Sequence, residues 1–201
     1  FRYGNLVGRA SHLTPSEIPD GIIVSTYDEG DSEKYNIELS ETGEYFPCYI
    51  GKKRATKYDV FFVGADKGRG EYLLELQQQI EALGLKTKFI ITADGRFSKR
   101  KSYYSKRISY QEVIEYNNES LAILNITMPG QKGATLRDYE SIFNKVKLIT
   151  NNSHIKKFDF YESDNVFILG EQRMEDLPSF LSRPFNEIDQ SILQRHLFKI
   201  N

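Results

Sequence analysis

The chain has 201 residues and a net charge of −1, from 27 Lys and Arg against 28 Asp and Glu, which gives a nucleic acid no bulk electrostatic hold. Its apolar and charged fractions are those of an ordinary globular protein; no apolar run approaches the roughly 20 residues of a membrane span, and no secretory signal is visible. The single Cys48 excludes an intramolecular disulfide, fits a reducing cytoplasm and reads as a small buried hydrophobe.

The length suits one good-sized domain, or one domain plus part of a second. The chain begins Phe1-Arg2-Tyr3 without an initiator Met, which reads as a fragment, a processed product or the ordered part of something longer. Residues 1–20 carry turn formers and little periodicity, and read mostly as loop. Residues 21–27 (GIIVSTY) read as a short buried strand. Residues 28–44 are acidic and polar, a loop with a short helix over 31–35, and 45–50 is extended. Residues 51–57 (GKKRATK) are basic and flexible, the best linker candidate.

The character then changes. Residues 58–63 (YDVFFV) form an apolar run of strand length that Gly64 stops. Leu73, Leu74, Leu76, Ile80 and Leu83 have helical spacing over 71–83, with Gly84 as the stop. Strands are expected over 87–92, 121–126, 147–150 and 166–169, and helices over 110–118, 136–144, 174–181 and 188–197. Strands alternating with helices predict an α/β fold, a Rossmann-like doubly wound parallel sheet. The domains expected are a remnant and linker over 1–54 and the Rossmann-like domain over 55–201.

In an open parallel sheet, ligands bind at the carboxyl ends of the strands. Two loops there carry suggestive residues. In Gly64-Ala65-Asp66-Lys67-Gly68-Arg69-Gly70, glycines let backbone N–H groups approach a phosphate, and Lys67 and Arg69 can neutralise it. The spacing matches neither the dinucleotide fingerprint nor the Walker loop, so a Gly-rich turn with solvated charges is the competing reading. In residues 129–140 (PGQKGATLRDYE) a second Gly-bearing loop opens a helix. Thr135 can cap that helix and meet a phosphate, and Asp138 can complete a capping box. Glu140 falls about one turn in, as a ribose acceptor or as a solvated helix carboxylate.

The remaining candidates are less pointed. His12, His154 and His196 are scattered, without metal-ligand spacing, and no metal is expected. Residues 94–106 interleave basic and aromatic side chains and read as a solvated or acceptor-binding loop rather than a nucleic-acid surface. Asp66 and Asp94 follow strands as a receiver phosphoacceptor would, but without the clustered acidic pocket.

Taken together, three stretches carry a resemblance: DVFFVGADKGR at 59–69, GATLRDYE at 133–140 and KLITNN at 147–152. The stretches FDFY at 158–161 and NVFI at 165–168 fit the same pattern, and upstream STYD at 25–28 and DSEKY at 31–35 extend it. The chain resembles bacterial lipopolysaccharide and capsular-polysaccharide glycosyltransferases of the two-Rossmann-domain (GT-B) type, close to the CgeB-like group, over about residues 20–195. The resemblance implies that 55–201 holds a nucleotide sugar and that 1–54 is the end of the acceptor-side domain. It implies that Gly64, Lys67 and Arg69 line the diphosphate, that Gly133 and Thr135 donate to it, and that Glu140 takes the ribose. Arg137 would pair with phosphate or brace the loop. Lys132 stands where many retaining enzymes of this architecture carry a carboxylate, and no catalytic base is assigned. The resemblance further implies no cofactor, no nucleic-acid partner, a saccharide or lipid-linked acceptor, and a cytoplasmic enzyme that can work at the inner face of the membrane. The rival readings are a non-catalytic nucleotide- or protein-binding module and a receiver-like signalling domain.

Overall fold

Alternating apolar side chains build the main sheet. In strand β4 (Tyr58–Ala65), Val60 and Phe62 face one side and Phe61 the other; Ala122 and Leu124 oppose Ile123 in β6 (Ser120–Asn125) in the same way. A strand buried on both faces needs cover on both, and two clusters provide it. Helix α2 (Gly70–Ala82) sends Leu73, Leu76 and Ile80, and α5 (Leu177–Ser182) sends Leu177, Phe180 and Leu181, into one cluster. On the other face lie Val113 of α3 (Tyr110–Asn118), Tyr139, Ile142 and Phe143 of α4 (Leu136–Asn144), and Leu193 of α6 (Gln190–Arg195).

With β5 (Thr87–Thr92), β7 (Lys147–Thr150) and β8 (Val166–Ile168), the sheet has five strands, all parallel, in the order β5-β4-β6-β7-β8. This is the Rossmann-like doubly wound α/β arrangement. The structure is a computed structural model and describes residues 2–3, 7, 13–40, 45–95 and 101–197.

The first part of the chain differs from its sequence reading. β1 (Arg2–Tyr3), β2 (Ser25–Thr26) and β3 (Glu38–Leu39) form a second parallel sheet in that order, with α1 (Glu29–Tyr35) between β2 and β3. β2 lies within the strand expected over 21–27 and α1 covers the short helix expected over 31–35, while β1 and β3 stand where loop is expected, too short to show a periodicity of two. Residues 51–57 are not a loose linker. Gly51 N–H donates to Asn144 Oδ1 at 2.7 Å, Arg54 N–H to the Asn118 carbonyl at 3.1 Å and Lys57 N–H to the Glu119 carbonyl at 2.8 Å. Those bonds pin the segment across the ends of α3 and α4. Tyr45 is buried in the main core and stacks on Phe143 at 5.0 Å, so the upstream segment contributes to the packing of the larger domain. Cys48, in the single turn Pro47–Tyr49, is exposed rather than buried.

Candidate functional site

The chain runs from β4 outward to β5 and then crosses back to β6 on the other side of β4. The carboxyl ends of β4 and β6 therefore flank a topological switch point, the place where open α/β sheets leave a crevice. Both Gly-bearing loops emerge there, one from each strand.

The first loop turns tightly. The Arg69 N–H donates to the Asp66 carbonyl at 2.9 Å, with Lys67 (φ 49°) and Gly68 (φ 77°) both in the left-handed region. Gly64 lies inside β4, which runs two residues past its expected end because Gly64 and Ala65 still pair with Ile91 and Thr92. Lys67 donates its backbone N–H to Asp94 Oδ1 at 2.6 Å, and its ammonium is exposed with no partner among the described residues.

Arg69 is placed differently from the sequence reading. Its guanidinium donates to the carbonyls of Ile126 and, at 3.4 Å, Ala65, and lies over the Phe62 ring. It braces the two strand ends across the switch point, and burial lowers its pKa. In this conformation Arg69 holds the loop rather than facing solvent: one N–H of each terminal nitrogen goes to a main-chain carbonyl, while Nε is buried without a partner among the described residues.

Asp66 is the centre of this loop, and only 1% of it is exposed. Its Oδ1 accepts from the Gly70 N–H at 2.7 Å; its Oδ2 accepts from Lys101 Nζ at 3.0 Å, Tyr103 at 2.9 Å and Tyr104 at 2.7 Å. Burial alone would raise its pKa, but the donors from Tyr104, Lys101, Tyr103 and Gly70 outweigh it and hold the carboxyl well below the usual range. The Tyr104 hydroxyl is pushed up to about 12, chiefly by its hydrogen bond to that carboxylate. The basic and aromatic residues of 101–104 thus close on Asp66 and fold their loop over the end of β4. Beyond Asp94, a depression of about 260 Å³ is lined by Thr92, Ala93, Gly95, Ser105 and Arg107. Residues 96–100 of that loop, and His12, lie outside the described residues.

The second loop is set by Thr135, the cap of α4. Its hydroxyl accepts from the Arg137 N–H at 3.1 Å, and its own N–H donates to Asp138 Oδ2 at 2.6 Å, completing the capping box. Asn125, at the end of β6, donates to both Thr135 Oγ1 and Asp138 Oδ1 at 2.9 Å. Burial pushes Asp138 up to about 6, against its hydrogen bonds from Thr135 and Asn125.

Glu140 has no exposed surface. Its carboxylate accepts from Tyr110 at 2.9 Å, from Asn117 Nδ2 at 3.0 Å and from the Arg137 guanidinium. It is neither a solvated helix carboxylate nor open to a ribose in this conformation: its face of α4 packs on α3, and Arg137 closes the outer side. Arg137, 22% exposed in its side chain, therefore braces Glu140. Burial raises the Tyr110 pKa, helped by the neighbouring Glu140 charge.

Gly133 is also committed. Its N–H, at 2.7 Å, and that of Lys132, at 2.6 Å, both donate to Asp28 Oδ2 from the upstream unit. The sequence places Asp66 directly after β4 and Asp28 two residues after β2, but does not tell what they hold: Asp66 meets Lys101, Tyr103 and Tyr104, and Asp28 meets Lys132 and Gly133, across distances where local spacing carries no signal. Of the histidines, His196 pairs with Asp159 at 2.8 Å and packs on Tyr139 and Phe160, a structural placement, and His154 caps no ligand set. Among the described residues no group of three or more His, Cys, Asp or Glu is placed to hold a metal ion, and no helix is long and apolar enough to cross a membrane.

Among the described residues the crevice thus offers the unpaired ammonium of Lys67, the Thr135 hydroxyl, the edge of the Arg137 guanidinium and two helices that begin at its edge, a set suited to a phosphate-bearing ligand. No protein-family model matches the chain, and a search of curated proteins finds no relative.

Proposed function

We propose that this chain is the nucleotide-sugar-binding part of a glycosyltransferase, moving a sugar from a nucleotide donor to a saccharide or lipid-linked acceptor in cell-surface polysaccharide synthesis. The observation that carries the reading is the meeting of the two loops that bear the resemblance, tied at the switch point by Arg69 between the Ala65 and Ile126 carbonyls. In this reading Lys67 meets the diphosphate, the Thr135 hydroxyl donates to it, and Arg137 turns from Glu140 toward it, opening the carboxylate to the ribose. As the bond from the anomeric carbon to the phosphate oxygen breaks, fixed cations and N–H groups stabilise the charge gathering on the leaving diphosphate. The acceptor hydroxyl oxygen takes its place on the carbon, and the hydroxyl proton is released to water as the nucleoside diphosphate leaves. The reaction belongs to the cytoplasm, at the inner face of the membrane when the acceptor is lipid-linked, and needs no resident cofactor.

Titration calorimetry with UDP- and GDP-sugars tests this. At least one donor should bind saturably, and Lys67→Ala should weaken it about tenfold, as loss of a charge-assisted contact does. Equal affinity in the two proteins would overturn the site. The second reading, a non-catalytic binding module, is favoured by the internal commitment of Arg69 and Glu140. It predicts donor binding with neither transfer nor donor hydrolysis in the full-length protein.

A further inference from the structure

Two consecutive backbone N–H groups, Lys132 at 2.6 Å and Gly133 at 2.7 Å, converge on one oxygen of Asp28, while the other oxygen accepts from the Asp31 N–H at 3.2 Å. Asp28 is 1% exposed, so its side chain is held out of water by main-chain donors of a loop at the carboxyl edge of the sheet. The loop is shaped for this: a Cβ on Gly133 would come within 2.7 Å of the Tyr27 ring and carbonyl. Weaker polar ties surround the contact. Gln131 Nε2 reaches the Tyr27 hydroxyl at 3.3 Å, Lys132 Nζ reaches Glu33 at 3.1 Å and Lys157 Nζ reaches Glu29 at 3.1 Å. Paired N–H groups with a lysine beside them form an oxyanion seat, and a carboxylate and a phosphate oxygen are alternative occupants of such a seat.

We propose that Asp28 is the internal occupant of a phosphate seat formed by the Lys132 and Gly133 N–H groups, and that a phosphate-bearing ligand takes the seat in exchange, releasing the segment 27–33 from the loop. This rests on the crevice reading above, but concerns a residue outside it. Binding of the ligand then costs the loss of the Asp28 contact, and the upstream unit senses occupancy of the crevice.

Inorganic pyrophosphate is the probe, titrated into the full chain by calorimetry, with amide hydrogen exchange followed over 28–33. Asp28→Asn, which keeps the shape and removes the charge, should bind pyrophosphate at least about tenfold tighter than the parent. In the parent, saturating pyrophosphate should speed exchange at 28–33. Glu33→Gln, on an exposed side chain, should tighten binding by less and keeps the test alive should Asp28→Asn fail to fold. Glu187→Gln, which frees Lys145 elsewhere with the same change of charge, should leave binding unchanged. Equal or weaker binding by Asp28→Asn, or unchanged exchange at 28–33, overturns the exchange. If binding persists in that case and falls with Lys67→Ala, the crevice reading stands alone; if no variant binds pyrophosphate, both fail.

Discussion

Replacement of Glu140 by Ala reads directly how this carboxylate is used. In the folded chain it is fully buried and takes hydrogen bonds from Tyr110, Asn117 and Arg137. Truncation leaves the Asn117 amide as a buried donor without its acceptor, at about 1–3 kcal/mol, and takes from the Tyr110 hydroxyl its carboxylate partner, leaving it the Tyr45 hydroxyl. Arg137 can turn outward into water, so its share is small, and the emptied volume adds to the loss. A total of about 3–5 kcal/mol is the range for breaking a buried ion pair from one side. In a chain of this size each kcal/mol is about 2–4 °C in Tm, which places the fall at about 6–20 °C. Thermal unfolding followed by far-ultraviolet circular dichroism measures it, with Glu140→Gln expected between the parent and the alanine variant. A Tm within about 2 °C of the parent would refute the reasoning, because a carboxylate free to meet a ribose has few internal bonds to lose.

Asp66 makes stability depend on acid. Its folded-state pKa lies below the ordinary 3.8, so its contribution is complete above about pH 4 and is lost as pH falls through the lower folded value. Urea unfolding between pH 5 and pH 2 should show that decline, and Asp66→Asn should flatten it while lowering stability at pH 7. Gly70→Ala places a Cβ on the Tyr103 hydroxyl and 2.7 Å from Asp66 Oδ2, and should cost about 1–3 kcal/mol in the same assay through overpacking. Lys67→Gly relieves a left-handed φ of 49°, so it should hold stability or raise it by up to about 1 kcal/mol while losing the cation that the donor needs. A Lys67→Gly variant that melts lower than the parent would show that the lysine serves the fold.

The fold was legible where burial imposes a period. The expected strands over 87–92 and 147–150 and the helices over 110–118 and 136–144 coincide with β5, β7, α3 and α4, because each is buried along a continuous face. Thr135 and Asp138 were legible as a capping box, since that bond is local. The two-residue strands β1 and β3 were not, because a strand that short shows no alternation. The fates of the charged residues were legible least of all. Asp28 meets Gly133 across 105 positions and Asp66 meets Tyr104 across 38, and no spacing rule reaches so far. Sequence alone therefore placed the crevice at the carboxyl ends of β4 and β6, but did not tell which charges face it and which hold it together. Of the seven residues expected to bind the donor, the structure leaves the Lys67 ammonium exposed, while Thr135 caps α4 and Arg137 pairs with Glu140.

Mapping of backbone amide shifts on titration with a nucleoside diphosphate sugar tests the location of the site most directly. Saturable shifts are expected to cluster at residues 64–70 and 127–137, on both sides of the switch point between β4 and β6. Shifts confined to the opposite edge of the sheet, around 51–57, or no shifts at saturating ligand, would contradict that location.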